Sequence, residues 1–295
     1  MPQTPPTALV LTALALEYAA VRAQVTERRE RVHTGGTRVE VGRLPGCSWR
    51  VASAELGEGA RTAAALTGSL IDWLRPRAVL FVGVAGALKD DVALGDVVVG
   101  TKVYAVHGGK QTPEGLLVRP EGWFGSNALV QAARSAVRDM PGVRVHFKPI
   151  ATGDVVLADA GSALARRLRE HYNDAAAIEM EGSGAVHAAH LSGQVDALVI
   201  RGISDRADAD KQRADATGSQ ERAAARAAAV AVAVLRTHAP DGDTAWDGDA
   251  PADPETDAQV TYGGDHIDFR GGTFHAPVVG KTVHTDRTGH TDERR

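Results

Sequence analysis

Residues 197–205 read Ala-Leu-Val-Ile-Arg-Gly-Ile-Ser-Asp, and few architectures can use such a stretch. Four apolar residues in a row, with no alternation, predict a strand covered on both faces, as in the parallel sheet of an α/β protein. At Arg201 the character turns polar. Ligands of open α/β sheets bind beyond the carboxyl ends of strands, where loops begin. Asp205 is therefore delivered to the place where such a fold does chemistry, just after Gly202, which lets backbone approach closely. A Ser-Asp pair there is equally the start of a capped polar loop, so the rest of the chain has to decide.

The rest alternates strands and helices. Residues 8–12 form an apolar run followed by helical character from Ala13 to about Arg29. Residues 37–43 and 48–54 read as strands around the turn Leu44-Pro45-Gly46. Residues 60–74 have Ala and Leu at helical spacing and are stopped by Pro76. A second buried-type strand over 78–84 runs into the small-residue turn 83–88, and 96–100 supplies another strand. Residues 106–124 are rich in Gly and Pro and read as loop. Then come a helix over 126–140 capped by Ser126, a strand over 143–150, a helix over 162–172, a short apolar run from 175, and a helix from Glu181 to about Leu191. A charged loop (206–213) and an Ala-rich helix over 219–238 follow the 197–205 strand. The class is α/β, a single domain whose central mixed, largely parallel sheet is flanked by helices.

Composition narrows what this domain can bind. The 295 residues are 43% hydrophobic and 24% charged with a net charge of -4, which argues against nucleic acid or an anionic membrane as partner. The single cysteine, Cys47, excludes an internal disulfide framework and fits a reducing, cytoplasmic setting. The N-terminal residues lack a basic region, and no apolar run is long enough to span a bilayer.

Three acids stand where a strand hands over to a loop or helix: Glu17, Glu181 within Ile-Glu-Met-Glu-Gly (178–182), and Asp205. Parallel strands share one carboxyl edge, so these remote residues can converge. Taken singly each reads as a solvated or capping residue. Glu-Met-Glu, followed some twenty residues later by Arg-Gly-Ile-Ser-Asp, resembles the signature of the nucleoside phosphorylase/nucleosidase superfamily. The closer resemblance is to 5′-methylthioadenosine/S-adenosylhomocysteine nucleosidases. Supporting pieces occur in the family's order: Thr-Ala-Leu-Ala-Leu-Glu (12–17), Gly-Val-Ala-Gly-Ala-Leu (83–88), Leu-Gly-Asp-Val-Val-Val (94–99) and Thr-Gly-Asp (152–154). The resemblance covers residues 7–238, the catalytic domain, behind a short N-terminal tail (1–6).

This resemblance implies a role at each matching position. Asp205 would protonate purine N7, Ser204 would hold its carboxyl group, and Glu17 would orient and deprotonate the attacking water. Glu181 would accept hydrogen bonds from the ribose hydroxyls while Met180 packs on the sugar. Val156 and Leu157 would wall the purine, and Val84, Ala85 and Gly86 would form the substrate-side turn. The chemistry stands without the family: breaking an N-glycosidic bond needs a proton for the departing base, a water on the opposite face, and anions near the cationic sugar.

Two departures refine the expectation. Val84 occupies the position where many relatives carry a serine that helps bind phosphate. An apolar side chain cannot supply that hydrogen bond, which favours hydrolysis over phosphorolysis; Arg22, Arg61 and Arg201 are the cations that phosphorolysis would call upon. Val156 stands where an aromatic commonly stacks on the base, leaving Trp123 or Phe124 to hold it from the other side.

Other signals are weaker. His187 and His190 lie three apart on a helix without a third ligand and read as structural or surface histidines. Gly57-Glu58-Gly59 lacks the spacing of a dinucleotide fingerprint, and Cys47 reads as a plain thiol. Residues 239–261 hold seven acids and no Lys or Arg and predict a disordered acidic linker. Residues 262–295 include alternating apolar residues on either side of Gly271-Gly272, a hairpin pattern suited to docking on a protein partner.

The expectation is a homodimeric N-glycosidase acting on a small-molecule purine nucleoside or nucleotide, with no organic cofactor and no metal. The alternatives are a phosphate-dependent purine nucleoside phosphorylase and a nucleotide-sensing or nucleotide-depleting effector module whose tail recruits a partner.

Overall fold

The computed structural model describes residues 5–113, 115–193, 195–208 and 218–238. The expected linker and hairpin segment lie outside the described residues. Ten strands form one mixed sheet: β1 (Thr7–Thr12), β2 (Thr26–Val32), β3 (Arg38–Arg43), β4 (Arg50–Glu55), β5 (Ala78–Ala87), β6 (Val97–Ala105), β9 (Glu121–Phe124), β10 (Val145–Thr152), β11 (Ala177–Glu179) and β12 (Asp196–Asp205). A separate hairpin pairs β7 (Gly109–Thr112) with β8 (Gly115–Val118). Six helices are seen among the described residues: α1 (Ala15–Arg22), α2 (Ala60–Leu74), α3 (Asn127–Ala136), α4 (Ala163–His171), α5 (Gly182–Leu191) and α6 (Ser219–Thr237). None of them is long and apolar enough to cross a membrane.

The strand order is β11-β10-β6-β12-β5-β1-β4-β3-β2, and β11 also pairs antiparallel with β5. That second pairing closes β5, β12, β6, β10 and β11 into a ring. It sets Ala177 and Ile178 of β11 beside Ala87 and Gly86, so that β11, four strands away along the open order, lies against the carboxyl ends of β5 and β12.

Period-two alternation explains the two cores. Leu9, Leu11, Val79, Phe81 and Val199 face one side and pack under α2 and α5. Their neighbours Ala8, Val10, Leu80, Val82, Leu198 and Ile200 face the other and pack under α3 and α6. Both sets are buried, so these strands carry the continuous apolar runs of a sheet covered on both faces.

Four boundaries differ from expectation. The helix expected to reach Arg29 ends at Arg22, and residues 26–32 form β2. This strand, Thr-Glu-Arg-Arg-Glu-Arg-Val, is exposed throughout and pairs only with β3; a charged edge strand blunts edge-to-edge association and shows no apolar alternation. The turn expected at 83–88 is instead the end of β5, paired with β12 through Gly86. The loop-rich 106–124 holds the β7–β8 hairpin and β9. The helix expected over 126–140 ends at Ala136 and passes into a single 3-10 turn over Val137–Asp139, with Ser126 accepting from Leu129 N at the amino end.

Candidate active site

The apolar run of the 197–205 strand ends at Ile200, but the strand does not. It runs to Asp205, because Arg201 is not a surface residue: its side chain is fully buried, with the guanidinium stacked 4.8 Å from the Phe81 ring centre. A buried charge is costly unless it is paired, and three acids do so. Arg201 Nη2 contacts Glu179 Oε2 and lies 3.4 Å from Glu181 Oε2, while Nη1 lies 3.9 Å from Glu17 Oε1. Burial works against the Arg201 charge, but the three carboxylates outweigh it and hold the guanidinium more firmly protonated than usual.

Glu17 sits in the first turn of α1 and reaches back over the strand-to-helix junction. Its Oε2 accepts from the backbone N–H of Ala13 (2.9 Å) and of Leu14 (3.0 Å), the latter the N-cap of α1 and an otherwise unpaired donor of a helix start. Its Oε1 accepts from Val84 N–H at 2.7 Å, linking α1 to the end of β5.

Glu181 caps α5, and its Oε1 accepts from Gly59 N–H at 3.0 Å, just ahead of α2. Burial pushes its carboxyl group up to about 7. Arg201 and the Gly59 N–H oppose that rise, and Glu179 and Glu17 add to it.

Asp205 closes β12. Its Oδ1 accepts from Ala207 N–H at 2.8 Å, and Ser204 Oγ donates to its Oδ2 at 2.9 Å. Ser204 Oγ also lies 3.4 Å from the Ala85 carbonyl.

These groups line one pocket of about 170 Å³. Glu17, Val84, Ala85 and Gly86 form one side; Met180 and Glu181 form the second; Val156, Leu157, Ser204 and Asp205 complete it. The ten residues assigned to the site by the resemblance thus line one pocket at the carboxyl ends of β5 and β12, beside β11. Trp123 and Phe124 do not join them. Both belong to β9, where Trp123 stacks on His187 at 4.8 Å and Phe124 faces outward. His187 is therefore an aromatic packing partner, and His190 is exposed at the far end of α5. Of the candidate phosphate cations, Arg22 is bound to Glu40 at 2.8 Å, Arg61 is exposed outside the pocket lining, and Arg201 is committed to the three glutamates.

Residue-by-residue reading missed Glu179, Glu58 and Gln220, which also line the pocket. Glu179 left one signal: it is an acid closing the apolar run 175–178, where a carboxylate must be compensated from elsewhere in the fold. Glu58 and Gln220 left none.

Residues 7–236 match the family model described as the phosphorylase superfamily. The chain is 28% identical over 248 residues to the ATP nucleosidase Cap17 of Escherichia coli (strain KTE188), an alignment covering 71% of this chain and 48% of that protein. It thus spans about half the length of that relative. It is 30% identical over 204 residues to a 5′-methylthioadenosine/S-adenosylhomocysteine nucleosidase of Chromohalobacter salexigens, covering 66% and 83% of the two chains. The crystal structure of the corresponding Neisseria meningitidis nucleosidase, in complex with methylthio-immucillin-A, superposes with a TM-score of 0.69 at 25% identity over 78% of this chain and 99% of that one. With its mixed α/β sheet, its two covered faces and this match across residues 7–236, the chain belongs to the phosphorylase superfamily.

Proposed function

We propose that this chain hydrolyses the N-glycosidic bond of an adenine-type purine nucleoside or nucleotide, releasing the free base and the ribosyl moiety. One observation carries the reading: Asp205 with Ser204, suited to act as acid, and Glu17, suited to act as base, line one pocket together with Glu181. The relatives named as nucleosidases for ATP and for 5′-methylthioadenosine support the adenine class.

In this reading the ribose lies on Glu181 and Met180, and the base lies between Val156, Leu157 and Asp205. Asp205 gives its proton to purine N7 as the C1′–N9 bond breaks. The Ser204 contacts suit both protonation states. When Asp205 is ionised, Ser204 donates to it; when Asp205 carries the proton, it donates to Ser204, whose own hydrogen turns to the Ala85 carbonyl. Water attacks C1′ from the opposite face, forms the new C–O bond, and passes a proton to Glu17. Positive charge developing on the sugar faces Glu17 and Glu181, and anions in a sheltered site stabilise such charge strongly.

Hydrolysis is favoured over phosphorolysis because a phosphate nucleophile would have to approach the wall formed by Glu17, Glu179 and Glu181, where Arg201 is already committed. Neutral water meets no such repulsion.

Adenosine, 5′-methylthioadenosine, AMP and ATP, each incubated with the full chain in phosphate-free buffer, test this reading by chromatography of the products. Free adenine with the matching ribose or 5′-substituted ribose is expected from at least one of them. Release that strictly requires phosphate and yields a ribose 1-phosphate would make the chain a phosphorylase.

A further inference from the structure

Glu179 ends β11 with its side chain 1% exposed, and the proposed chemistry leaves it unused. Its Oε2 accepts from the backbone N–H of Glu181 (3.1 Å) and Gly182 (2.7 Å) at the start of α5, and from Arg201 Nη2. Its Oε1 accepts from Thr152 Oγ1, which itself accepts from Ser183 N–H at 2.9 Å. Its backbone carbonyl accepts from Gly153 N–H at 2.9 Å.

Each partner leads to a different wall of the pocket. Glu181 is the sugar-side carboxylate. Gly153 is the root of the segment carrying Val156 and Leu157. Arg201 reaches both Glu17 and Glu181. A carboxylate taken out of water is tolerated when its oxygens are hydrogen-bonded, and buried hydrogen bonds of this kind hold their donors in place. The Glu179 carboxylate accepts four contacts at once, from the start of α5, from β12 and from Thr152 of β10.

We propose that Glu179 is the positioning residue of this site: with its carboxylate committed to four donors of the protein, it holds the sugar-side carboxylate, the buried guanidinium and the base-side segment in one arrangement. The assignment of walls rests on the N-glycosidase reading above; the arrangement itself does not. The charged groups facing Glu181 are Glu179 from β11, Arg201 and Asp205 from β12, Glu17 from α1 and Glu58 from the segment before α2. Replacing Glu179 by glutamine keeps its volume but removes one negative charge beside Glu181 and frees Arg201 to favour the ionised Glu181 more strongly. Both changes ease Glu181 ionisation.

The test compares the full chain with Glu179→Gln, Thr152→Val and Thr152→Ser. Carbon-13 NMR of carboxyl-labelled glutamate follows Glu181, identified by the signal lost in Glu181→Gln; the activity probe is whichever of adenosine, 5′-methylthioadenosine, AMP and ATP the wild-type chain cleaves. In Glu179→Gln, Glu181 should titrate about one pH unit lower, and kcat should fall at least roughly tenfold. Thr152→Val should lower kcat roughly fivefold, and Thr152→Ser should restore it. An unmoved Glu181 titration in folded Glu179→Gln overturns the proposal, whether or not activity is lost, since lost packing alone would not move it. If Glu179→Gln does not fold, wild-type kcat in Thr152→Val overturns it instead. If the wild-type chain releases adenine from none of the four, the functional reading falls, and the Glu181 titration in Glu179→Gln still decides the positioning role.

Discussion

Arg201 Nη2 lies 3.4 Å from Glu181 Oε2 at a point where the guanidinium has no exposure and the carboxylate only 7%. Arg201 is thereby the counterion of three buried acids at once. Removing it strands them. Arg201→Met keeps an unbranched apolar stem but leaves the carboxylates unpaired, and breaking a buried charge pair in this way costs about 3–5 kcal/mol. Urea unfolding of Arg201→Met should show that loss. Adding Glu179→Gln should recover part of it, since the cost lies in uncompensated negative charge; a double variant less stable than Arg201→Met would contradict this account.

Glu181 makes stability depend on pH with a definite sign. Its folded value, about 7, lies above the ordinary 4.5, so between those limits the native chain binds a proton that the unfolded chain does not. Stability contributed by this group is therefore present at pH 4.5 and lost as pH rises through 7. Glu181→Gln imitates the protonated form. Relative to wild type it should gain stability at pH 8 and show no such gain at pH 5, as measured by urea unfolding at both. A gain of equal size at both pH values would mean that Glu181 titrates normally.

The proposed acid is tested by one atom. Asp205→Asn preserves the size and the position beside Ser204 but cannot deliver the carboxyl proton. Turnover should fall on the order of 10²-fold or more, as for loss of a general acid, with the thermal midpoint little changed. Near wild-type turnover would remove Asp205 from the mechanism.

Much of this was legible in the sequence because buried parallel strands write themselves as unbroken apolar runs. Residues 8–12, 78–84 and 197–200 announce β1, β5 and β12, and Glu17, Glu181 and Asp205 stand beside strand ends that the topology brings together. Two kinds of feature were not legible. β2 has no apolar face to read, since its seven residues are all exposed where it pairs with β3. The far half of β12 and the role of Glu179 were hidden for a shared reason: Arg201 and Glu179 look like surface residues until the fold supplies each with the other. Charge compensation is a long-range property, and no local window displays it. Ring closure by the β11–β5 pair is of the same kind, as it rests on contacts of Ala177 with Ala87 and Ile178 with Gly86.

Packing of α5 against α2 ties stability to the site in a way that a single methyl group can test. A Cβ placed on Gly184 would overlap the Ala60 carbonyl oxygen and lie 2.8 Å from its carbon and 3.0 Å from Ala64 N. Those are backbone atoms of α2, so relief requires the two helices to part. Overpacking of this kind costs about 1–3 kcal/mol. The separation would also draw Gly59 N–H away from Glu181 Oε1, now 3.0 Å apart, because Gly59 precedes α2 and Glu181 caps α5. Gly184→Ala should therefore lower the thermal midpoint and raise KM for whichever probe is cleaved. Gly68→Ala, in the same α2 helix, is the control: its Cβ would meet nothing within 4 Å, and replacing a helical glycine by alanine stabilises by roughly 0.5–1 kcal/mol. It should leave KM unchanged. Equal effects from the two variants would show that the α2–α5 contact does not set the position of Glu181.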